Sequence, residues 1–338
     1  MKALLCYNQN EFKLEEIDKP EIQKDEMLIE MMYTSLCGSD IVKIFDPEVK
    51  KPAVFGHEVV GRVVETGKNI TRFKSGDVVV AAHHIPCYHC HYCLHGNYSM
   101  CRHFKETNIY PGSFCQYIRL SEEHIRHTTF KVPAGLNILE ALFVEPLACC
   151  IRAVDRVPFR KGDIFSVVGT GIIGMLFIQL IKLSGGRVVA IELDNDRLSM
   201  ARFLGADYTI NPSKQNIARE VKNITDIGVD IAILTVTNEY TLGEALNYLR
   251  DGGTVNIFGA SGKESRFEVD FEKVYKRELS IVSSYSATPE TLKRAYDIIT
   301  SKKINLSPLI SEVMPLSDFK KGLDLVLRKK IYKALFKL

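Results

Sequence analysis

The sequence lacks long apolar runs, a marked excess of either charge, and repeated or low-complexity segments. The formal net charge is only +3 and the basic residues are spread along the chain, unlike the basic stripe of a nucleic-acid-binding protein. No run approaches the roughly 20 apolar residues of a membrane-spanning helix. The opening, MKALLCYNQNEF, has no apolar stretch that is long enough for a signal peptide. We therefore expect a cytoplasmic protein without nucleic-acid or membrane partners.

The cysteine content points to metal binding rather than to disulfides. The chain of 338 residues has nine cysteines, an odd number, and no export signal. In a reducing compartment, clustered cysteines bind metal more often than they pair. The length suggests about two domains, because single cores stop growing at roughly 250–300 residues.

The hydrophobic pattern changes partway along the chain. Short β-type runs in the first half predict a β-rich domain of the barrel or sandwich type: MLIEMMYTS, EVVGRVVETG, GDVVVAA and FCQYIRL. From Asp163 onward, Val- and Ile-rich strands alternate with helical patterns, which predicts a parallel sheet covered on both faces. Amphipathic helices are predicted within LKRAYDIITSKKI and LSDFKKGLDLVLRKK. The predicted class is α/β, with a β-rich domain at 1–147 and 287–338 and a doubly wound parallel-sheet domain at 148–286.

The stretch SVVGTGIIGMLFIQL contains the pattern G-x-G-x-x-G at Gly169, Gly171 and Gly174. The pattern alone is weak, but here a strand precedes it and a helix follows it. Its glycines would allow a tight turn, the approach of a pyrophosphate and close helix–strand packing. Ile172 and Ile173, in the first turn of the helix, would offer backbone amides to the phosphates. A dinucleotide site is predicted, the alternative being a glycine-rich turn of another α/β fold.

The choice of cofactor depends on an acidic residue. Glu192 ends the next predicted strand, RVVAIEL, about 20 residues beyond the glycines, where a carboxylate accepts hydrogen bonds from the adenosine ribose. It would repel the 2′-phosphate of NADP, so NAD is predicted. Arg197 could partly offset this repulsion, although an arginine at such a position more often only stacks near the adenine.

The segment HHIPCYHCHYCLHGNYSMC, which begins at His83, holds four cysteines and five histidines. The cysteines are Cys87, Cys90, Cys93 and Cys101. Four thiolates can close tetrahedrally round one zinc ion and leave no position open for chemistry. An iron–sulfur cluster is the alternative, but the ferredoxin pattern has a shorter last gap and a following Pro, where this chain has Arg102. Zinc is favoured, and His89, His91 and His95 are expected to be solvated loop residues.

Another set of candidate ligands lies outside this segment. Cys37 stands in SLCGSD, His57 and Glu58 in FGHEVVG, and Glu145 in LFVEPLA. One thiolate, one imidazole and one or two carboxylates suit a catalytic zinc that keeps a position open for water or substrate. Spacing alone leaves another interpretation open, in which these residues are a buried cysteine and polar side chains that cap loops.

The chain resembles the zinc-containing medium-chain dehydrogenases. The matching segments follow the order of that family along most of the chain: CGSD at 37–40, GHEVVGRVVETG at 56–67, GDVV at 76–79, the four-cysteine segment, EPLA at 145–148 and VVGTGIIG at 167–174. The resemblance is strongest to the sorbitol, polyol and threonine dehydrogenase branch. It implies a GroES-like fold for the first domain, a Rossmann fold for the second, an active site between them and a homo-oligomer, a tetramer or a dimer.

The resemblance also implies roles for individual residues. Those matching Cys37, His57 and Glu58 hold the catalytic zinc in this branch, in addition to the structural zinc of the four cysteines. Glu145 matches a carboxylate that either ligates this zinc or holds its water, and Ser39 matches the hydroxyl that bonds the reacting alcohol. Many members carry a proton-relaying histidine where this chain has Val42. The proton must then leave by another route, through Glu145 and water or through the cofactor ribose.

These inferences predict an NAD-dependent zinc alcohol dehydrogenase that oxidises a secondary hydroxyl of a polyol to give a ketose. Ser39 is the expected first proton acceptor and Tyr285 the candidate aromatic residue of the substrate pocket. The substrate could instead be a phosphorylated polyol such as galactitol 1-phosphate, with Lys43 a weak candidate for the phosphate, a cyclitol, or threonine. A zinc-ribbon nucleic-acid-binding protein and a zinc-free quinone reductase are two competing interpretations of the whole chain. The balanced charge and the dinucleotide turn argue against the former, and the combination of Cys37, His57 and Glu58 argues against the latter.

Overall fold

A computed structural model describes residues 1–259 and 266–338. Its strands are β1 Lys2–Asn8, β2 Glu11–Glu16, β3 Met27–Ser35, β4 Glu58–Thr66, β5 Val78–Ala81, β6 Tyr117–Leu120, β7 Thr129–Lys131, β8 Ile164–Val168, β9 Arg187–Ile191, β10 Tyr208–Ile210, β11 Val229–Leu234, β12 Leu249–Ile257, β13 Ser280–Ser283, β14 Val313–Pro315 and β15 Leu335–Lys337. Its α-helices are α1 Gly38–Phe45, α2 His91–Leu94, α3 Arg102–Glu106, α4 Glu122–His127, α5 Val144–Asp155, α6 Ile172–Leu183, α7 Asn195–Phe203, α8 Ile217–Ile224, α9 Glu239–Tyr248, α10 Phe271–Lys276, α11 Pro289–Thr300 and α12 Phe319–Leu327. Short 3-10 helices span Tyr98–Met100, Ile138–Phe143, Ser307–Leu309 and Leu316–Asp318.

The chain forms two compact units. One comprises 1–145, 288–302 and 306–338, and the other comprises 146–287 and 303–305. These limits lie within two residues of 147 and 287, which the hydrophobic pattern predicted, except that 303–305 belongs to the second unit. Asn305 explains this exception, because its amide donates to the side chain of Gln179 at 2.6 Å and its carbonyl accepts from the same side chain at 3.1 Å.

The first unit is built on a mostly antiparallel sheet. Within the described residues its strand order is β14-β15-β3-β4-β5-β7, with β6 also paired to β3 and a separate β1–β2 hairpin. Phe319 packs against Phe114 and Phe336 in its core. The ring centroid of Phe319 lies 5.0 Å from that of Phe114 and 5.3 Å from that of Phe336. Because Phe336 lies in β15 and Phe319 in α12, the residues that follow the second unit complete this core.

The register of this sheet brings distant residues to one edge. Ser35, at the end of β3, lies opposite Glu58, at the start of β4, and opposite Leu335, at the start of β15. The segments that follow β3, precede β4 and precede β15 therefore meet. These are the segments that carry Cys37, His57 and Lys333.

The second unit is a parallel sheet with helices. Its described strands run in the order β10-β9-β8-β11-β12-β13, and every neighbouring pair is parallel. The order reverses between β8 and β11, which is the place where open α/β sheets of this kind bind their ligands. Helix α6 follows β8 and is buried from Gly174 to Ile181, as its nearly uniform apolar sequence predicts. The α/β class and the parallel sheet are thus confirmed.

The amphipathic helices predicted near the end are confirmed as α11 and α12, although the LSD segment before α12 is a 3-10 helix. In the ranges that the structure describes, we find no helix with the length and apolar character needed to cross a membrane.

Candidate active site

Cys37 lies between β3 and α1 and is the N-cap of that helix. Its amide donates to Asp40 Oδ2 at 3.2 Å, and the Asp40 amide donates to the Cys37 carbonyl at 3.1 Å. These reciprocal bonds fix the first turn of the helix, as a capping box does. The Cys37 thiol therefore lies at the N-terminal end of α1, where the helix dipole is positive.

Asp40 also orients His57. Its Oδ1 lies 3.1 Å from His57 Nδ1 and accepts the amide of Gly56 at 3.2 Å. Burial by itself would raise the pKa of Asp40, but the neighbouring imidazole leaves that pKa below its ordinary value. Burial would lower the pKa of His57, yet the charge of Asp40 raises it well above its ordinary value. With Nδ1 engaged, Nε2 is the nitrogen left for a metal ion. Asp40 belongs to the CGSD segment, but its part in the site was not predicted.

Glu58 forms a buried ion pair that the sequence did not predict. Lys333 Nζ lies 2.6 Å from Glu58 Oε2, and the Ser35 hydroxyl donates to the same oxygen. Burial would lower the pKa of Lys333, but Glu58 raises it above its ordinary value, so the amine stays charged. Glu58 Oε1 is buried and has no hydrogen-bond partner among the described residues, so it is available to a metal ion.

The predicted catalytic ligands are brought together. One ligand atom each of Cys37, His57 and Glu58 lies within 4.8 Å of the others. A thiolate, an imidazole and a carboxylate at such separations can share one zinc ion, and three protein ligands leave a position open for a substrate. The orphaned Glu58 Oε1 is a further sign that the residues present fit a cation.

Glu145 joins the same region through a different set of neighbours. Its carboxylate lies within 4.8 Å of ligand atoms of His57 and His83, and all three residues are buried. His57 is therefore common to both groups. His83 was not among the predicted site residues, because it begins the cysteine-rich segment and was interpreted only as part of that segment.

Ser39 lies beside the candidate ligands. Its hydroxyl is 3.4 Å from Cys37 Sγ and 3.5 Å from His57 Nε2, and its residue is exposed. Val42, one turn further along α1, is 63% exposed and its side chain offers no group that could carry a proton. In the second unit, Tyr285 follows β13 and is also exposed.

The four cysteines of the second predicted metal site form a compact group. Their Sγ atoms all lie within 4.8 Å of one another, with Cys87 and Cys93 3.9 Å apart and Cys90 and Cys93 3.6 Å apart. Zinc–sulfur bonds of about 2.3 Å place the sulfurs of a tetrahedral site about 3.8 Å apart. The cysteines are free thiols rather than disulfides. The group therefore fits zinc.

The histidines within this segment do not join the group of thiols. His89, His91 and His95 are exposed. His89 Nδ1 lies 2.7 Å from the Cys87 carbonyl, and His95 Nδ1 lies 2.8 Å from the His91 carbonyl. His91 begins α2 rather than lying in a loop.

The glycine turn joins β8 to α6. Gly169 has a φ of +86°, and a Cβ added at Gly174 would lie 2.1 Å from the Gly169 carbonyl oxygen. Gly171 is the N-cap of α6 and has no side chain. The first backbone amides of the helix, those of Ile172 and Ile173, therefore have no side-chain cap. A Cβ at Gly171 would meet only Arg197 Nη1, at 3.8 Å. The turn therefore has the open approach and free helix N-terminus that suit a pyrophosphate.

Glu192 follows β9 and is held next to this turn. Its Oε2 accepts the amide of Thr170 at 3.0 Å and the Thr170 hydroxyl at 3.4 Å, while Oε1 accepts the amide of Leu193 at 2.8 Å. These bonds fix the carboxylate beside the glycines. Arg197, whose guanidinium lies near Gly171, faces the same turn.

Comparison with known proteins assigns the class. Residues 23–133 match the family described as the alcohol dehydrogenase GroES-like domain, and residues 173–301 match the zinc-binding dehydrogenases. A sorbitol dehydrogenase of Halalkalibacterium halodurans is 32% identical over 331 residues, which are 95% of each chain. An L-threonine 3-dehydrogenase of Bacillus velezensis is 30% identical over 337 residues, 96% of this chain and 95% of that one. An alcohol dehydrogenase of Thermus sp. ATN1 has a similar structure, with a TM-score of 0.88, 26% identity and 99% of both chains covered.

The chain therefore belongs to the zinc-containing medium-chain dehydrogenases. Within that family it is similar to the branch that includes sorbitol and threonine dehydrogenases.

Proposed function

We propose that the protein is an NAD-dependent zinc alcohol dehydrogenase that oxidises a secondary hydroxyl of a polyol to give a ketose. The observation that carries this proposal is the Ser39 hydroxyl, which lies 3.4 Å from Cys37 Sγ and 3.5 Å from His57 Nε2. It places a hydroxyl that can exchange a proton beside a thiolate and an imidazole suited to a metal ion. The sorbitol dehydrogenases among the relatives support a polyol as substrate.

In this proposal Cys37, His57 and Glu58 hold the catalytic zinc, with Glu145 as a further ligand or as a hydrogen-bond partner of water. Bound there, zinc would supply a Lewis acid that lowers the pKa of an alcohol. Asp40 keeps His57 in the orientation that leaves Nε2 for the metal. Ser39 accepts a hydrogen bond from the reacting hydroxyl and relays its proton, passing its own hydroxyl proton to water held by Glu145 or to the cofactor ribose.

The second unit supplies the cofactor site in this proposal, so that 148–286 is the NAD-binding domain and 1–147 with 287–338 the zinc-binding domain. The α6 N-terminus, including Ile172 and Ile173, would hold the pyrophosphate. Bound NAD would accept the hydride. Glu192 would accept hydrogen bonds from the ribose and repel a 2′-phosphate, which favours NAD over NADP. Arg197, close to Gly171, supports the phosphates rather than the adenine.

The remaining parts of the proposal concern the structural zinc, the cellular compartment and the oligomeric state. The cysteines at 87, 90, 93 and 101 hold a structural zinc, which requires reduced thiols and therefore suits the cytoplasm. The protein forms a homo-oligomer through β13, the last strand of the parallel sheet, whose residues are mostly exposed and whose outer edge is open to pairing within the described chain.

The test is a panel of substrates with both cofactors, followed by the absorbance of the reduced cofactor. Sorbitol, xylitol, ribitol, a phosphorylated polyol, myo-inositol and threonine would each be assayed with NAD and with NADP. We expect turnover of at least one neutral polyol and a clearly higher kcat/KM with NAD. A Cys37→Ser enzyme is the control and should be inactive. An enzyme that oxidises none of the polyols contradicts the proposal, and equal efficiency with both cofactors contradicts the role of Glu192.

A phosphorylated polyol is the second candidate. Lys43 lies in α1, and its charge contributes to lowering the pKa of Asp40 and that of His83, so this lysine lies close enough to act on the site. A cation there would favour a phosphate group. In the same panel, a preference for the phosphorylated polyol that disappears in Lys43→Gln would decide for this candidate.

A further inference from the structure

His83 is a buried histidine whose ring is held in one place. It follows β5 and is 6% exposed. Its ring packs between those of His57 and His84, with centroids 4.2 Å and 3.7 Å away. Its backbone carbonyl accepts a hydrogen bond from His124 Nε2 at 3.0 Å. Both the backbone and the side chain are therefore fixed before any ligand arrives.

The ring of His83 has hydrogen-bonding capacity that the described part of the chain does not use. Its Nδ1 is buried and lacks a hydrogen-bond partner there. A neutral imidazole has one donor and one acceptor nitrogen. Buried polar groups in folded proteins are almost always satisfied, so an orphaned nitrogen in such a place indicates a ligand.

The same ring reaches the candidate active site. One of its nitrogens lies within 4.8 Å of ligand atoms of His57 and Glu145. His57 Nε2 is in turn 3.5 Å from the Ser39 hydroxyl, where the reacting alcohol is proposed to bind. A group held by His83 would therefore be a close neighbour of the reacting hydroxyl.

We propose that His83 hydrogen-bonds the hydroxyl on the carbon next to the reacting one, and thereby selects vicinal diols and polyols over simple secondary alcohols. This inference rests on the proposed oxidation of a polyol and adds the residue that selects such a substrate. A site that is built to bond a hydroxyl discriminates strongly against the analogue that lacks it, because its buried polar group is then left unpaired. His83 is in these terms a specificity-determining residue.

The test compares 2,3-butanediol with 2-butanol, since the two share a carbon skeleton and differ by one hydroxyl. We would measure kcat and KM for both alcohols with NAD in the parent enzyme, in His83→Phe, which keeps a ring for stacking, and in His83→Gln, which keeps a hydrogen-bonding group. The ratio of kcat/KM for the diol to that for the mono-ol should fall at least about tenfold in His83→Phe, mainly through KM for the diol. His83→Gln should recover part of the ratio.

The matched control is His84→Phe. His84 is the neighbouring residue, and its Nδ1 is already 2.7 Å from the Thr107 carbonyl, so its removal should leave the ratio within about twofold of the parent value. The zinc content of all variants would be measured in parallel and should equal that of the parent. This measurement distinguishes a substrate contact from a metal ligand.

Each of the following results would overturn the inference. An equal loss for both alcohols in His83→Phe would mean a structural role, and a loss of zinc in that variant would mean that His83 ligates the metal. An unchanged ratio, or the same selective loss in His84→Phe, would also exclude the proposed contact. If the parent enzyme oxidises 2-butanol as well as the diol, but the ratio does not depend on His83, this inference alone is wrong. If the parent oxidises no alcohol, both the proposed function and this inference are wrong.

Discussion

Glu58 and Lys333 are a carboxylate and an amine that are both withdrawn from water, with 2.6 Å between Oε2 and Nζ. Isolated buried charges are costly, so each depends on the other. A zinc ion at Glu58 would be a further positive charge on the same carboxylate. The stability that Lys333 contributes should therefore depend on whether metal is bound.

Replacing the lysine tests this dependence. We expect Lys333→Met to lower the free energy of unfolding of the zinc-free protein by about 3–5 kcal/mol, because it leaves the Glu58 carboxylate buried without a counter-charge. The loss should be smaller in the zinc-loaded protein. Urea unfolding with and without a chelator measures both values. The double variant Lys333→Met/Glu58→Gln is the control and should recover much of the stability. Equal losses in the two metal states would show that zinc does not compensate Glu58.

Ser39 is the residue on which the chemistry should depend most strongly. If no histidine relays the proton, Ser39→Ala should lower kcat at least about a hundredfold, since acid–base groups typically contribute about 10²–10⁴-fold. Zinc content should not change. Val42→His, which restores an imidazole on the exposed face of α1, should raise the rate of oxidation at low pH, where proton release is hardest. A pH–rate profile of both variants with the best polyol is the measurement. Ser39→Ala activity within threefold of the parent would mean that the proton leaves by another route.

At the level of structural elements, we expect the cysteine segment to depend on the zinc ion proposed for it. Its buried residues form a small separate cluster of Cys93, Cys101 and Phe104, and its helices α2 and α3 have only four and five residues. Such short helices are not stable by themselves. With zinc bound as proposed, the cysteines and the ion would supply much of the folding free energy of the segment.

Removal of one thiolate should reveal this contribution. We expect Cys90→Ser to lose about one zinc ion per chain and to lower the melting temperature. Metal analysis and thermal unfolding measure both effects. Cys115→Ser changes a buried cysteine outside the cluster and should keep the full zinc content. A Cys90→Ser protein with the parent zinc content and melting temperature would show that the cysteines do not hold zinc.

Two glycines of the turn should have different roles, Gly174 in stability and Gly171 in NAD binding. Gly174→Ala would force a Cβ to within 2.1 Å of the Gly169 carbonyl, so it should destabilise the protein by about 1–3 kcal/mol. Gly171→Ala meets only ordinary contact with Arg197, so it should cost less than about 1 kcal/mol while weakening NAD binding at least about tenfold. Thermal unfolding and calorimetric titration with NAD separate these effects. If Gly171→Ala bound NAD as tightly as the parent, the pyrophosphate would not lie at this turn.

The turn was predictable because its determinants are contiguous in sequence: a strand, three glycines and a helix. The spacing of the four cysteines was equally informative, since they fall within one short segment. Lys333 was not predictable, because only the pairing of β3 with both β4 and β15 brings it to Glu58. His83 was missed for a different reason. The nearby cysteines explained its segment, and only the packed structure shows the unsatisfied nitrogen.

At the level of the whole molecule, one unit interrupts the other. The segment 146–287 supplies nearly all of the second unit, while the first is assembled from residues on both sides of it. Contacts between residues that are distant in sequence form slowly, because the intervening chain must first be ordered. In refolding followed by pulsed hydrogen exchange, amides of β8 and β11 should therefore become protected before those that join β3 to β15. The reverse order would show that β3 and β15 pair before the inserted segment 146–287 has folded.

The pairing of β3 with β15 has a consequence for protein synthesis. A ribosome makes Cys37, His57 and Glu58 early and Lys333 only after the inserted unit is finished. Domains fold as their sequences emerge, so the nascent chain holds the Glu58 carboxylate for a long time without its amine. During that interval, water or a captured metal ion is the partner left to this carboxylate. If these residues bind zinc as proposed, the order of translation gives the metal access to its ligands before Lys333 has been made.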